Sequence, residues 1–445
     1  MKRRILLFIL MISIFFVGNI SLDAGIFPFQ VHRKVLGNGL KIIAIPLPNP
    51  GLVAYYSVVR TGSRDEYEPG HSGFAHFFEH MMFRGTKKYS STEYNKLTTQ
   101  MGANFNAFTS NDITAYHLEF AKEDLEKVME LESDRFQHLE YAEQEFKTES
   151  GAILGELLKG KVSPFFLLME GVQNTAFDTH TYKHTTMGFE ADVRAMPTMY
   201  EYSLNFYKRY YRPENVVLMV CGDIVPETVF NLAEKYYSSW QKGYVKPDVR
   251  EEAEQNAPRN ASVTFKGKTL PLLCVAYKGL SYSPDSKEYL ASILLGDIMF
   301  GETSDFYSRL IFEKKIAQWI DASFDASRDP FLNAITVMVK KKEDVDAVRT
   351  EIANTIKKYQ TELMDGKKLD DLKKNRKYSF LLGLASTAEV ASSLSRIIAI
   401  TGDIDAIDRY YQTLEAVTPE DIRNAALTYF TDNRKTDILL LGEEK

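Results

Sequence analysis

Residues 205–223 read Asn205-Phe206-Tyr207-Lys208-Arg209-Tyr210-Tyr211-Arg212-Pro213-Glu214-Asn215, then an apolar run over 216–221, then Gly222-Asp223. Near the other end of the chain the same order returns. Ala426-Leu427-Thr428-Tyr429-Phe430-Thr431-Asp432-Asn433-Arg434-Lys435-Thr436 leads into an apolar run and then Gly442-Glu443. Each copy predicts a helix, a polar turn and a buried strand. The two Gly-acid pairs stand 220 residues apart in a chain of 445. A second pair of segments, 144–151 and 370–377, keeps the same order. The pattern recurs more clearly than the residues do. It predicts an α+β fold made of two tandem homologous domains, each a largely antiparallel sheet flanked by helices.

The stretch 243–261 separates the copies. It is polar, charged and poor in large apolar groups, as a linker is. The expected domains are therefore 30–242 and 262–445. Within the first, residues 41–46 and 52–61 alternate β-branched and aromatic side chains and predict a hairpin. A helix is expected over 74–83, strand character over 105–119, and helices over 121–138 and 143–158.

The composition is 44% hydrophobic and 26% charged, which fits a soluble globular protein. The formal net charge of −6, with both signs mixed, argues against a nucleic-acid binder. Lys2, Arg3 and Arg4 followed by an apolar run over 5–18 read as an export signal spanning 1–24. The mature chain is then periplasmic or secreted, with an uncleaved membrane tether as the alternative. No other stretch approaches membrane-spanning length. Cys221 and Cys274 each sit in an apolar run and are expected to be buried, inert thiols.

The chemistry concentrates in His76-Phe77-Phe78-Glu79-His80. On a helix, offsets of three and four return to one face, so both imidazoles can aim at one ion with Glu79 beside them. Zinc takes nitrogen and carboxylate ligands and keeps a position for water, whose proton a nearby carboxylate can accept. Glu79 is the expected general base. Phe74, Phe77, Phe78, Met81 and Phe83 make the helix mostly buried, and unpartnered polar groups there would be costly. A third protein ligand is needed. Glu149 and Glu156, seven residues apart on one predicted helix face, are both candidates, and spacing does not rank them.

These strings carry a family resemblance. The order His-x-x-Glu-His is the inverzincin signature. Together with the flanking segment 62–86, with 102–116, with 148–156 and with 210–215, it resembles the pitrilysin/insulinase family of zinc metallopeptidases, which includes mitochondrial processing peptidase subunits. The resemblance covers nearly the whole mature chain. It implies an exported zinc metalloendopeptidase acting on short or unfolded peptides, with one Zn2+ per chain. It implies His76, His80 and Glu156 as metal ligands, since Glu156 lies 76 residues beyond His80. Glu149 then matches an acid that orients a ligand. Asn106, Ala107, Phe108 and Thr109 match an edge strand that binds substrate backbone by strand addition. It also implies a dimer enclosing a cavity, either a homodimer or a heterodimer with a sister member.

One departure stands out. Family members often place an Arg and a Tyr in the second domain to hold substrate. Here Phe312 and Trp319 occupy those places. A second reading follows: a zinc-bearing subunit that needs a sister chain. A third is a non-catalytic interaction subunit, against which the intact motif argues. Trp319 is expected in the core. His71, His117, His138, His180 and His184 are rival ligands, with His71 expected in solvent and His117 in packing.

Overall fold

The computed structural model describes residues 25–443. The expected export signal over 1–24 lies outside the described residues. Two sheets organise the chain. The first is built from β1 (His32–Val35), β2 (Lys41–Pro46), β3 (Leu52–Val59), β4 (Asn104–Thr109), β5 (Thr114–Ala121) and β6 (Val216–Gly222), in the order β1-β2-β6-β3-β5-β4. The second contains β7 (Arg259–Phe265), β8 (Leu272–Lys278), β9 (Ala317–Phe324), β10 (Leu332–Val339) and β11 (Lys435–Gly442), in the order β7-β11-β8-β10-β9. Each sheet has one parallel pair, β2 with β6 and β7 with β11, and is otherwise antiparallel. The α+β class and the tandem repeat are both present.

The hairpin expected of residues 41–61 does not form. Strand β6 lies between β2 and β3, parallel to the first and antiparallel to the second. Every residue of β6 is buried, so an apolar strand with backbone groups on both edges takes a partner on each side. The connection from β2 to β3 wraps the end of β6: Leu47 N–H donates to the Gly222 carbonyl at 2.8 Å, and Gly51 N–H to Asp223 Oδ2 at 2.9 Å. A Cβ on Gly222 would fall 2.2 Å from the Leu52 carbonyl oxygen, and the backbone there has φ 130°. A Cβ on Gly442 would likewise fall 2.5 Å from the Gly267 carbonyl oxygen. The repeated Gly-acid pair thus marks a close backbone approach in both copies.

Both sheets are covered on both faces, and alternation along the central strands shows how. In β3, Val53, Tyr55 and Val59 face a core that includes Phe74, Phe77 and Phe78. Ala54, Tyr56 and Val58 face the opposite way, onto Val390, Leu394 and Ile398. Those three residues belong to the helix Thr387–Thr401, which comes from the second half of the chain. The exchange is reciprocal. Helix Pro164–Ala176, from the first half, packs Leu168, Val172 and Ala176 on Leu272, Cys274 and Ala276 of β8. Each half therefore completes the other's sheet. Tandem patterning alone does not reveal this, because both helices are apolar on a face whichever sheet they meet.

A polar knot adds to the join. Asp329, from the loop between β9 and β10, accepts from Arg64 Nε at 2.5 Å and lies 3.0 Å from His180 Nε2. Arg328 donates to the Asp112 carbonyl at 2.8 Å, and Tyr182 to the Asp112 carboxylate at 2.9 Å. Cys221 and Cys274 are buried and free, and burial pushes the Cys274 thiol up to about 12. Among the described residues, no helix is long and apolar enough to cross a membrane.

Candidate metal centre

The helix Phe74–Met81 carries the His76–His80 motif. Its apolar face fixes it in place. Phe78 stacks on Phe206 with ring centroids 5.2 Å apart, and Phe77 packs edge-on to Phe146 at 5.1 Å. Phe146 belongs to the helix Glu143–Gly160, so this contact docks that helix against the motif. At the N-terminus of the motif helix, Glu66 accepts from the N–H groups of Gly73 at 2.7 Å and Ala75 at 2.6 Å. Burial pushes the Glu66 carboxyl up to about 8, with these two bonds opposing. Sequence reading missed Glu66, which lies in the loop before the helix.

The polar face gathers the donors. Nε2 of His76 lies 3.5 Å from Glu156 Oε2, and Nε2 of His80 lies 3.6 Å from the same atom. One donor atom from each of the three residues falls within 4.8 Å of the others. These separations are long for hydrogen bonds. They are near the edge of a tetrahedron whose centre is about 2.0–2.1 Å from each donor, roughly 3.4 Å, as zinc requires. Two imidazoles and a carboxylate are also a donor set that zinc accepts. Burial, and then the neighbouring His80, push His76 down to about 4, so it is a neutral imidazole near pH 7. The residues present fit zinc.

Glu149 takes a different position from Glu156. It is 3% exposed, and its Oε1 lies 2.9 Å from His80 Nδ1. Its other oxygen is paired with Arg84. Structure thus separates two acids that spacing left equal: one faces both Nε2 atoms, and the other grips the far side of one ring. Arg84 was also missed. It lies three residues beyond the end of the motif helix, where helical spacing gives no signal for it.

Glu79 points into a cleft of about 320 Å³ shared with His80, Phe83, Arg84, Asn106, Ala107 and Glu149. Burial pushes the Glu79 carboxyl up from its ordinary value. The nearby Thr109 hydroxyl, which has no hydrogen-bond partner, and then His80 oppose this, and Glu156 adds to it. Asn106–Thr109 lie on β4, the outermost strand of the first sheet, paired on one side with β5. Among the described residues no strand covers the other side of β4. The strand edge and the His/Glu cluster therefore border one cleft.

The rival histidines lie elsewhere. His71 bonds to the Pro69 carbonyl and packs on Tyr202, and His117 stacks on Tyr56 with centroids 4.9 Å apart. His138 pairs with Asp134 on the surface, His180 belongs to the polar knot, and His184 lies 3.8 Å from Glu66. Trp319 is not in the core. It is 40% exposed on the outermost strand β9, with its ring against Phe165 at 6.1 Å. Strand β9 pairs only with β10 and is buried at two of its eight positions, so an apolar side chain on it need not enter the core, which is why apolar character misled. Phe312 is 63% exposed on the π-helical segment Arg309–Glu313 that precedes β9.

Comparison with known proteins gives the family. The profile of Insulinase (Peptidase family M16) matches residues 52–190, and that of the Peptidase M16 inactive domain matches 200–376. The chain belongs to the insulinase family of peptidases, M16. Within that family it is similar to the zinc protease PqqE of Helicobacter pylori, 28% identical over 92% of each chain. A solved protease from Helicobacter pylori superposes with a TM-score of 0.87 at 26% identity, covering 93% of this chain and 99% of that one. The periplasmic protease PqqL from Escherichia coli shares the M16 fold at 17% identity, with a TM-score of 0.75 over 94% of this chain and 48% of that one. The inactive-domain match begins at residue 200, within the first half, and runs to 376, while the His76–His80 motif lies within the match to Insulinase (Peptidase family M16).

Proposed function

We propose that this chain is an exported zinc metalloendopeptidase that cleaves short or unfolded peptides in the periplasm or outside the cell. The observation that carries the reading is the convergence of His76, His80 and Glu156 donors within 4.8 Å, beside Glu79 and a free strand edge. In this reading His76, His80 and Glu156 hold one zinc ion per chain, and Glu149, braced by Arg84, orients His80. Bound zinc supplies Lewis acidity, polarising a carbonyl and acidifying a water. Glu79 takes the proton from the attacking water and passes it to the leaving amine. Its raised affinity for a proton suits both steps. Residues Asn106 to Thr109 pair with the substrate backbone, which demands an extended peptide and excludes folded chains.

Export rests on the N-terminal sequence 1–24. A dimer, with itself or with a sister family member, would enclose the cleft. The exposed Phe312 and Trp319, standing where relatives often have Arg and Tyr, favour a second reading in which a sister chain completes substrate binding. The test is metal removal. Purified mature chain treated with a chelator should lose zinc and peptide cleavage together, and added zinc should restore both. Cleavage that survives complete zinc removal would overturn the proposal. Zinc bound without cleavage until a sister chain is added would select the second reading.

A further inference from the structure

A separate pocket in the second half has the character of a small-ligand site. It has a volume of about 320 Å³ and lies among the helices Lys287–Phe300, Gly366–Leu382, Thr387–Thr401 and Ala406–Glu415, beside the end of β9. Its walls are aromatic. Tyr282 and Tyr410 present nearly parallel rings, 3° apart in orientation with centroids at 6.5 Å. Tyr289 stands edge-on to Tyr282 at 5.5 Å, and Tyr411 edge-on to Tyr410 at 5.1 Å. Phe324 and Phe380 close the lining. Burial pushes all four phenols up, so they stay neutral. Arg376 is committed to Asp297, at 2.9 Å, and serves as wall.

The charged groups at the pocket that remain are Arg396 and Asp325. Their nearest atoms are 3.8 Å apart, beyond hydrogen-bond reach, and both side chains are about half exposed. The two thus form only a loose, half-exposed ion pair at an aromatic box, which leaves their hydrogen-bonding positions open to a ligand. We propose that this pocket binds free aromatic α-amino acids. The ring enters among the tyrosines, where edge-to-face and offset contacts favour it. The carboxylate meets Arg396 and the ammonium meets Asp325. The volume is at the small end of ligand pockets, which suits one residue rather than an extended peptide. A nucleotide fits worse, because its phosphates would face the Asp325 carboxylate. The site is independent of the His/Glu cluster.

The experiment is calorimetric titration of the purified chain with L-phenylalanine, L-tyrosine and L-tryptophan, with L-leucine and N-acetyl-L-phenylalanine as comparisons. At least one aromatic amino acid should bind saturably. Leucine, lacking the ring, and the acetylated compound, lacking the ammonium, should each bind about 10-fold more weakly. Arg396→Ala and Asp325→Ala should each weaken binding about 10-fold. Both residues are at the surface, and circular dichroism melts would show that the variants are folded. Glu79→Gln should bind as wild type does, whatever its peptidase activity. The proposal is overturned if no aromatic amino acid binds saturably at millimolar concentration, if leucine binds as well, or if folded Arg396→Ala binds unchanged.

Discussion

The Nδ1 atom of His80 lies 2.9 Å from Glu149 Oε1, which leaves Nε2 as the ring atom that faces His76 and Glu156. A buried carboxylate that grips one nitrogen sets both the tautomer and the ring plane, and Arg84 holds the carboxylate in turn.

Glu149→Gln should therefore lower zinc affinity about 10–100-fold without unfolding the chain. Competition against a graded chelator would measure it. Arg84→Ala should move affinity in the same direction by less, since the Glu149–His80 contact remains. Equal affinity in Glu149→Gln and wild type would show that the carboxylate does not orient the ring.

The knot around Asp329 predicts a pH-dependent stability. Burial raises the Asp329 carboxyl, but the hydrogen bonds from His180 and Arg64 win and hold it well below the usual carboxylate range. A depressed acid contributes stability that is present above its unfolded value near pH 4 and lost as the pH falls toward its folded value. Asp329→Asn should lower the melting temperature by a few degrees at pH 7, and the difference should shrink below about pH 4. A difference that persists unchanged in acid would contradict the ion-pair account.

The exchanged helices predict where stability is shared. Leu168 is fully buried against β8, in the half of the fold that does not contain it in sequence. Leu168→Ala should cost about 2–5 kcal/mol by denaturant titration. Leu394→Ala, in the helix that covers the first sheet, should cost a similar amount. A near-zero cost for both would mean that each half folds without the other's helix.

The sequence made the duplication legible because Gly222 and Gly442 answer the same steric demand, and a demand of that kind leaves a residue-level mark. The helical offsets of His76, Glu79 and His80 were legible for the same reason. The order of β2, β6 and β3 was not, because strand pairing is decided by which edges are free and not by proximity in sequence. The exchange of helices was hidden because an apolar face does not name its partner. Spacing on one helix face left Glu149 and Glu156 equal, and only the family resemblance ranked them, until the motif helix was docked beside them. Arg84 and Glu66 were hidden because charged residues near a motif are common, and only contact shows which ones hold it.

The central claim is tested most directly by Glu79→Gln. Wild type and variant should be purified as mature chains, assayed for zinc, and incubated with a library of unstructured peptides. The account predicts one zinc per chain in both proteins, and cleavage that falls by about 10²–10⁴-fold in the variant. Cleavage by the variant at the wild-type rate, or a wild-type protein that cleaves without zinc, would contradict it.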